Sequence, residues 1–349
     1  MPLAPAAFQK RVLHWFDQCG RHDLPWQHDI TPYRVWLSEI MLQQTQVATV
    51  IPYYKRFLKT FPTIKKLASA PIDEVMHLWT GLGYYSRARN LHRCAHIICT
   101  DHGGQFPDTV DALAALPGIG RSTAGAIVSI AFGQRAAILD GNVKRVLARY
   151  CAIDGWPGDA ATARQLWSIA ERYTPKARCG DYSQAMMDLG ATVCTRTKPD
   201  CAHCPLTKTC AAYAAGTPTA WPHSKARKAM PHKHWQLLVL QHTDGSVLLE
   251  QRPSSGIWGG LWCLPISETA EAPAMARAIC GSKKIGAQSL PPITHAFSHF
   301  RVTLEPVLIR LRKPVILSDT QRWYNSAQRI GLPGPIKPLL HSIIDEELP

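Results

Sequence analysis

The chain has 349 residues, which is long enough for two domains, and 39 Lys and Arg against 25 Asp and Glu give it a formal net charge of +14. This excess favours nucleic acid or another polyanion as a partner. The first residues lack the apolar core of a signal peptide and no stretch approaches the roughly 20 apolar residues of a membrane span, so we expect a cytosolic protein without a membrane partner.

Helical periodicity dominates the N-terminal part of the chain. It predicts helices over residues 8–19, 52–60, 64–69 and 72–79. Another helix is expected to start at Thr31 and Pro32, because a capping hydroxyl followed by proline at the first helical position is a strong N-terminal signal. We therefore expect this part to be mainly α.

Glu39 lies on the helix that starts at Pro32, and its neighbours one turn away include Val35, Trp36 and Leu42. Mostly apolar surroundings disfavour the charged carboxylate and raise its pKa. Such a carboxyl can hold a proton near neutral pH and act as a general acid. A solvated position on the helix surface is the ordinary alternative.

Two groups that follow Glu39 have side chains suited to contacts with nucleic acid. Gln43 and Gln44 carry amides that both donate and accept hydrogen bonds, although a plain polar helix face would explain them equally well. Tyr84 follows a glycine-rich turn and precedes Arg87. An aromatic ring beside cations can wedge between bases while the cations bind phosphate. Two adjacent tyrosines are more commonly one buried and one surface residue.

The turn LPGIG leads into a helix of small and apolar residues, and a second helix is expected to start at Asp140. Gly118 and Gly120 allow main-chain N–H groups to point outward at a helix N-terminus, which can bind a phosphate. Lys144, on the second helix, is a further candidate for phosphate contact. Asp140 would place a carboxylate close to nucleic acid, where negative charge is normally avoided. This carboxylate is therefore a candidate for chemistry.

Four cysteines stand in the pattern C-x6-C-x2-C-x5-C. Four thiolates so close together indicate a metal or cluster site, and both zinc and [4Fe-4S] accept four sulfurs. Arg196 and Lys198 lie between the first two cysteines, so a stapled loop would hold two cations toward phosphates. The four cysteines are Cys194, Cys201, Cys204 and Cys210.

The pattern changes beyond residue 215. Residues 216–231 are rich in Pro, Lys and Arg and lack a hydrophobic period, as an interdomain linker does. Alternating apolar and polar residues follow, with Asp244 and Gly245 at the expected turn of a β-hairpin. We expect residues 232–349 to form a domain with a β-sheet.

These features together resemble the MutY adenine DNA glycosylases of the endonuclease III-like helix-hairpin-helix superfamily. The resemblance rests on the segment SEIMLQQTQV around Glu39, the hairpin followed by Asp140, the cysteine spacing, and the C-terminal segment WGGLWCLP. It covers nearly the whole chain and is weakest over 268–290 and in the last residues. The implied domains are a helical glycosylase domain over 1–215, with the hairpin at about 112–131 and an iron–sulfur loop at 194–210, a linker over 216–231, and an α+β Nudix-like lesion-recognition domain over 232–349.

The resemblance implies a role for each candidate residue. Glu39 would protonate adenine, Asp140 would stabilise the cationic sugar, and Asn142 would orient Asp140 or the attacking water. Gln44 would enter the base stack and Tyr84 would act as a wedge. The four cysteines would hold a [4Fe-4S] cluster. Further DNA contacts would come from Gln43, Arg87, Gly118, Gly120, Ser122, Lys144, Arg196 and Lys198, and contacts to 8-oxoguanine from Phe297, Ser298 and His299.

The implied activity is removal of adenine opposite 8-oxoguanine, and opposite guanine, from duplex DNA by a monomeric enzyme. Ser122 stands where relatives that also cleave the strand carry lysine, and a serine cannot form a Schiff base, so efficient lyase activity is not expected. The alternatives are a pyrimidine glycosylase with lyase activity, a DNA-binding redox sensor and a Nudix hydrolase. The Nudix hydrolase is disfavoured because the glutamate run that binds the metal in such enzymes is missing. Only Glu268 and Glu271 lie near the position of that run.

Overall fold

The computed structural model describes residues 3–225, 229–268, 274, 279, 286–311 and 317–345. They form two compact units: Met1–Ser69 with Asn90–Ala226, and Ala70–Arg89 with Arg227–Pro349. The first unit is helical, and the second combines a β-sheet with helices. This confirms the predicted pairing of a mainly α part with an α+β part.

The helices follow the capping and periodicity signals of the sequence. The helix that carries Glu39 begins at Pro32, and the Thr31 hydroxyl accepts a hydrogen bond from the Arg34 main-chain N–H at 3.3 Å. The bounds are α1 Pro5–Cys19, α2 Pro32–Leu42, α3 Val47–Thr60, α4 Ile64–Ser69, α5 Ile72–Trp79, α6 Ser86–Asp101, α7 Val110–Ala114, α8 Arg121–Ala131, α9 Gly141–Cys151, α10 Ala160–Tyr173, α11 Cys179–Asp188 and α12 Ala211–Ala214.

The hairpin formed by α7 and α8 brings Asp140 back to the helical core. Gly118 has φ +78°, the left-handed conformation that glycine adopts without a steric penalty. Gly125 on α8 allows a close approach, because a Cβ there would lie 2.2 Å from the Ala137 carbonyl oxygen. The segment that leads to Asp140 therefore packs directly on the helix backbone.

A π-helical turn, Leu189–Val193, joins the end of α11 to Cys194. Gly190 in this turn lies against the start of α9, since a Cβ there would be 2.6 Å from Asn142 Cβ. The first cysteine of the loop and the residues after Asp140 are thus packed together. Short 3-10 turns follow at Cys201–His203, Thr207–Thr209 and Pro218–Ala220.

The second unit is built on a mixed sheet. Its long strands are parallel neighbours paired from His232↔Arg301 to Gln241↔Arg310, and the predicted hairpin pairs Gln241 with Val247 in antiparallel register. The bounds are β1 His232–Gln241, β2 Val247–Gln251, β3 Trp262–Cys263, β4 Ile266–Ser267, β5 Gln288–Ser289, β6 Ile293–Ala296, β7 Arg301–Arg310 and β8 Gln321–Tyr324, and they are followed by α13, Ile336–Asp345. The main order is β3-β2-β1-β7-β5, with β4, β6 and β8 pairing β1, β7 and β2.

Segment Ala70–Arg89 belongs to the sheet unit, which differs from the predicted division that kept it with the helical domain. The reason is a set of contacts between residues far apart in the chain. Asp73 accepts a hydrogen bond from Trp262 Nε1 at 3.2 Å, and the His77 ring bonds to the Ile330 carbonyl at 3.2 Å. Such contacts are set by tertiary packing and leave no local signal.

The sequence predicted neither a membrane span nor the metal-binding glutamate run of Nudix hydrolases. No helix among them is long and apolar enough to cross a membrane. Of the two acidic residues near the place of the Nudix metal-binding run, Glu268 is exposed, and Glu271 lies outside the described residues.

Candidate active site

A cleft of about 660 Å³ opens in the helical unit between α2, α8, α9 and α11. It collects candidate residues that lie far apart along the chain. Those that line it are Glu39, Gln43, Ser122, Asp140, Asn142 and Arg196. Both predicted catalytic carboxyls therefore line one cleft.

Glu39 occupies the cleft on a helix that is otherwise largely buried. Its neighbours Val35 and Trp36 are almost fully buried, while Glu39 itself is partly exposed to the cleft. Burial, and secondarily the negative charge of Asp140, raise the pKa of Glu39 to about 8. The side chain can therefore carry a proton at neutral pH and donate it to a bound group.

Asp140 is the N-cap of α9 and is held by hydrogen bonds. Its Oδ1 accepts from the Val143 main-chain N–H at 2.8 Å, and it also accepts from the main chain and side chain of Asn142. On balance the pKa of Asp140 is raised, because the effect of burial exceeds the opposite effect of these hydrogen bonds and of the Arg145 cation. The bonds and the helix N-terminus favour a fixed, charged carboxylate.

Arg145 is a functional candidate that the sequence reasoning missed. Its guanidinium donates from Nη2 to Asn142 Oδ1 at 2.8 Å and to the Gly190 carbonyl at 2.6 Å. Arg145 also lines the cleft. Its position on the helix that Asp140 begins was the available signal, since side chains within the first turns of that helix can reach its N-cap.

Arg149 was missed as well, and it organises the cysteine loop. It is 2% exposed and donates to the carbonyls of Thr195 at 2.7 Å and Arg196 at 2.8 Å. Its Nη1 also lies 3.3 Å from Cys194 Sγ. A buried guanidinium has five donors to satisfy, and here the main chain of the loop supplies the acceptors.

The four cysteines of the predicted cluster line a single cavity. Among the described residues, no group of three or more His, Cys, Asp or Glu side chains is arranged to hold one metal ion. A [4Fe-4S] cluster is held by four cysteine thiolates, and four cysteines line this cavity. Burial raises the pKa of the Cys204 thiol to about 11.

The cleft wall also contains residues that the sequence did not indicate as functional. Leu24 and Trp26 contribute apolar surface, and Gln184 adds an amide. Asp188, which is 1% exposed, accepts from the Arg21 main-chain N–H at 2.8 Å and from its Nε at 3.0 Å. This ion pair, in which the carboxylate is buried, ties the segment after α1 to the end of α11 and so fixes one side of the cleft.

Several predicted DNA contacts lie outside the cleft lining but in the same unit. Gln44 is exposed and has φ +57°. Ser122 does line the cleft, and its hydroxyl accepts from the Leu139 main-chain N–H at 2.9 Å, which braces the approach to Asp140. Gly118, Gly120 and Lys198 are exposed, and Lys144 is partly exposed.

The prediction for Arg87 is corrected by its surroundings. Arg87 is 7% exposed, and its Nη2 donates to the carbonyls of Leu82 at 3.3 Å and Gly83 at 3.1 Å. The guanidinium also lies 5.4 Å from the centres of the Trp79 and Tyr84 rings. A cation in this position holds the turn and is not presented to a phosphate.

The predicted lesion-contacting residues form the turn between β6 and β7 of the sheet unit. The Phe297 N–H donates to the Phe300 carbonyl at 2.9 Å, and the Phe297 ring stacks on Phe300 at 4.6 Å and lies 5.5 Å from Trp258. Ser298 and His299 are exposed at the tip. Phe297 thus anchors the turn, and its two neighbours are available to a ligand.

Comparison with known sequences relates both parts of the chain to known families. The profile of the HhH-GPD superfamily of base excision DNA repair proteins matches residues 37–172, and the profile of the NUDIX domain matches residues 236–342. The chain is 41% identical over 345 residues to the adenine DNA glycosylase of Buchnera aphidicola subsp. Acyrthosiphon pisum (strain APS), which covers 96% of this chain and 97% of that protein. It is 38% identical over 359 residues to the adenine DNA glycosylase of Mus musculus, covering 86% and 70%.

Solved structures resemble the helical part. A thermostable thymine-DNA glycosylase is 30% identical with a TM-score of 0.56, covering 61% of this chain and 97% of that one. A trapped endonuclease III–DNA covalent intermediate is 23% identical with a TM-score of 0.52, covering 60% and 96%. The second likeness concerns the fold alone.

Proposed function

Because the chain belongs to the family of adenine DNA glycosylases, within the HhH-GPD superfamily of base excision DNA repair proteins, we propose that it removes adenine paired with 8-oxoguanine, and with guanine, from duplex DNA. The chemical class, hydrolysis of an N-glycosyl bond, follows from the family. The observation that carries the proposal is the pair of carboxyls on one cleft, Glu39 with a pKa of about 8 and Asp140 held by hydrogen bonds to its helix.

The base leaves the stack and enters the cleft, because a reacting atom inside a duplex is out of reach of side chains. Leu24 and Trp26 supply the apolar and aromatic wall against which a planar base can pack. Glu39 then donates its proton to a ring nitrogen of the adenine. The glycosidic bond breaks with its electron pair on the base, which leaves as neutral adenine.

The sugar develops positive charge as the base departs. The Asp140 carboxylate stabilises this oxocarbenium-like centre, and Asn142 keeps the carboxylate oriented by donating a hydrogen bond to it. A water oxygen bonds to the sugar carbon, and its proton passes to the ionised Glu39. The cycle restores both starting protonation states, in the way that glycosidases divide roles between two carboxyls.

Binding to DNA draws on several exposed groups. The turn of Gly118 and Gly120 at the start of α8 can bind a phosphate, and Arg196 and Lys198 add positive charge from the cysteine loop. Gln44 enters the base stack. Tyr84 acts as the wedge in the same duplex.

The four cysteines would hold a [4Fe-4S] cluster, which when bound would cross-link a short basic loop. The donor set fits this group, because four thiols line one cavity. Arg149 shapes the loop by donating hydrogen bonds to the main-chain carbonyls of Thr195 and Arg196. With the loop cross-linked in this way, Arg196 and Lys198 would remain available to phosphates.

One assay tests the reaction. The full-length protein is incubated with duplexes that carry adenine opposite 8-oxoguanine, adenine opposite guanine, or an oxidised pyrimidine. We expect alkali-labile sites in the first two duplexes and few nicks without alkali, since Ser122 supplies no amine. Excision of the pyrimidine with strand cleavage would instead indicate a glycosylase with lyase activity, and no excision at all would contradict the proposal.

Reading of 8-oxoguanine is assigned to the turn of Phe297, Ser298 and His299, whose tip is exposed. Replacing Ser298 and His299 together by alanine removes the exposed polar groups and leaves the Phe297 anchor in place. We expect the ratio of excision rates for adenine opposite 8-oxoguanine and opposite guanine to fall. An unchanged ratio would show that the turn has only a structural role.

A further inference from the structure

Tyr84 stands at a strained and exposed point of the sheet unit. Its φ is +48°, which is unfavourable for a residue with a side chain and persists where surrounding contacts hold it. The residue is 43% exposed. The turn that carries it lies between α5 and α6 and contains Gly81 and Gly83, both with positive φ, before Tyr84. Contacts with other segments of the sheet unit keep this turn in one conformation.

The hydroxyl of Tyr85 makes the first contact. It donates to the Leu332 carbonyl at 3.2 Å and accepts from the Gly81 N–H at 3.3 Å, so it joins the beginning of the turn to the segment before α13. The Leu332 N–H in turn donates to the Thr80 hydroxyl at 3.4 Å. One short segment therefore bonds to both sides of Gly81.

The guanidinium of Arg89 makes the second contact, on the other side of the turn. Its Nη2 donates to the Ser254 carbonyl at 3.0 Å, and its Nη1 donates to the Gly259 carbonyl. Both acceptors belong to the loop between β2 and β3. This arginine is half-buried and directed at main-chain oxygens, as in an internal brace.

We propose that Tyr85 and Arg89 are positioning residues that fix the Tyr84 turn to the C-terminal sheet domain, so that this domain controls insertion of the wedge as well as carrying the lesion-contacting turn. The inference rests on the proposed function, in which Tyr84 enters the base stack. Tyr85 holds the start of the turn and Arg89 holds its end, and the Tyr84 ring is left exposed between them.

The test measures insertion directly in the full-length protein. A duplex carries adenine opposite 8-oxoguanine, with the fluorescent base 2-aminopurine next to the 8-oxoguanine, and its fluorescence rises when neighbouring bases are unstacked. Tyr84→Ala should abolish most of the rise. Arg89→Met should weaken the complex that gives the signal about tenfold, because two hydrogen bonds from a charged donor are lost, and Tyr85→Phe about threefold. Arg93→Met, which removes an exposed charge from the same helix, should have no effect.

A double-mutant cycle separates positioning from general damage. If Arg89 acts through Tyr84, adding Arg89→Met to Tyr84→Ala should change binding less than twofold. The proposal is overturned if the two effects multiply, if Tyr84→Ala leaves the signal unchanged, or if Arg93→Met matches Arg89→Met. Thermal melting checks that each variant is folded, and Tyr85→Phe provides a second, milder change. Adenine excision is measured separately. Its absence would contradict the proposed function. If excision is intact and the effects of Arg89→Met and Tyr84→Ala multiply, only the positioning role of Arg89 is contradicted.

Discussion

Arg145 donates a hydrogen bond from Nε to the main-chain carbonyl of Cys194 at 2.7 Å. The same guanidinium donates to Asn142 Oδ1 at 2.8 Å, and Asn142 bonds to Asp140. A single side chain therefore connects the first cysteine of the predicted cluster loop to the N-cap carboxylate of α9. The position of the loop and the orientation of the carboxylate are linked through this contact.

Arg145→Met should impair excision of adenine. The variant keeps most of the length of the side chain but loses the donors to Asn142 and Cys194, and a hydrogen bond from a charged donor contributes about 1.5–3 kcal/mol. We expect a single-turnover rate at least about tenfold lower, with the iron content maintained because Arg149 still contacts Cys194. Arg164→Met is the matched control on an exposed position. A wild-type rate for Arg145→Met would exclude the linking role.

Glu39→Gln should abolish most of the chemistry while DNA binding persists. The amide keeps the size of the side chain but cannot act as the acid, and general acid catalysis typically contributes about 10²–10⁴ in rate. The measurement is single-turnover excision with enzyme in excess, together with the Kd for the same duplex. Glu268→Gln, at an exposed position, is the control. Near-normal excision by Glu39→Gln would remove Glu39 from the role of acid.

The excision rate should decline on the alkaline side. Because the pKa of Glu39 is raised to about 8, the carboxyl is protonated below that pH and progressively ionised above it. The single-turnover rate should therefore be nearly level below pH 8 and fall about tenfold per pH unit well above it. A rate that stays constant through pH 9.5, with the protein still folded, would contradict a proton supplied by Glu39.

The titration of Glu39 should also make the stability of the protein depend on pH in a defined direction. The folded pKa of Glu39 is about 8 and its ordinary value is 4.5, so between these limits the unfolded chain has lost a proton that the folded chain retains. The contribution of Glu39 to stability is therefore fully present below about pH 4.5 and is lost as the pH rises through about 8. In thermal melting, the Tm of Glu39→Gln minus the Tm of the wild type should increase from pH 5 to pH 8. A constant difference would indicate that the pKa is not raised.

Arg149→Met should destabilise the cysteine loop. The substitution leaves the partly buried carbonyls of Thr195 and Arg196 without their donor, and an unsatisfied acceptor costs up to about 1–3 kcal/mol when it is fully buried. We expect a lower Tm and less iron per protein after purification. Lys198→Met, which removes an exposed charge from the same loop, should leave both unchanged. Equal iron content in the two variants would show that the loop forms without Arg149.

The sequence by itself determined the features that depend on local chemistry. Helix α5 occupies the residues predicted for it, and α2 starts at the predicted Thr31 cap, because capping and periodicity act over a few neighbouring residues. The placement of Glu39 among apolar neighbours was likewise readable from helical spacing. The cysteine spacing indicated a cluster or metal site, since all four cysteines belong to one short loop.

Tertiary structure decided the contacts between residues far apart in the chain. Local spacing contains no information on the acceptors that Arg145 and Arg149 find in the cysteine loop, or on the carbonyls that turn Arg87 inward. It also decided that residues 70–89 join the sheet unit, because the acceptors of Tyr85 and Arg89 come from segments that only folding brings near. Hydrogen bonds of buried polar groups must be satisfied somewhere, and which main-chain atoms satisfy them depends on how the elements pack.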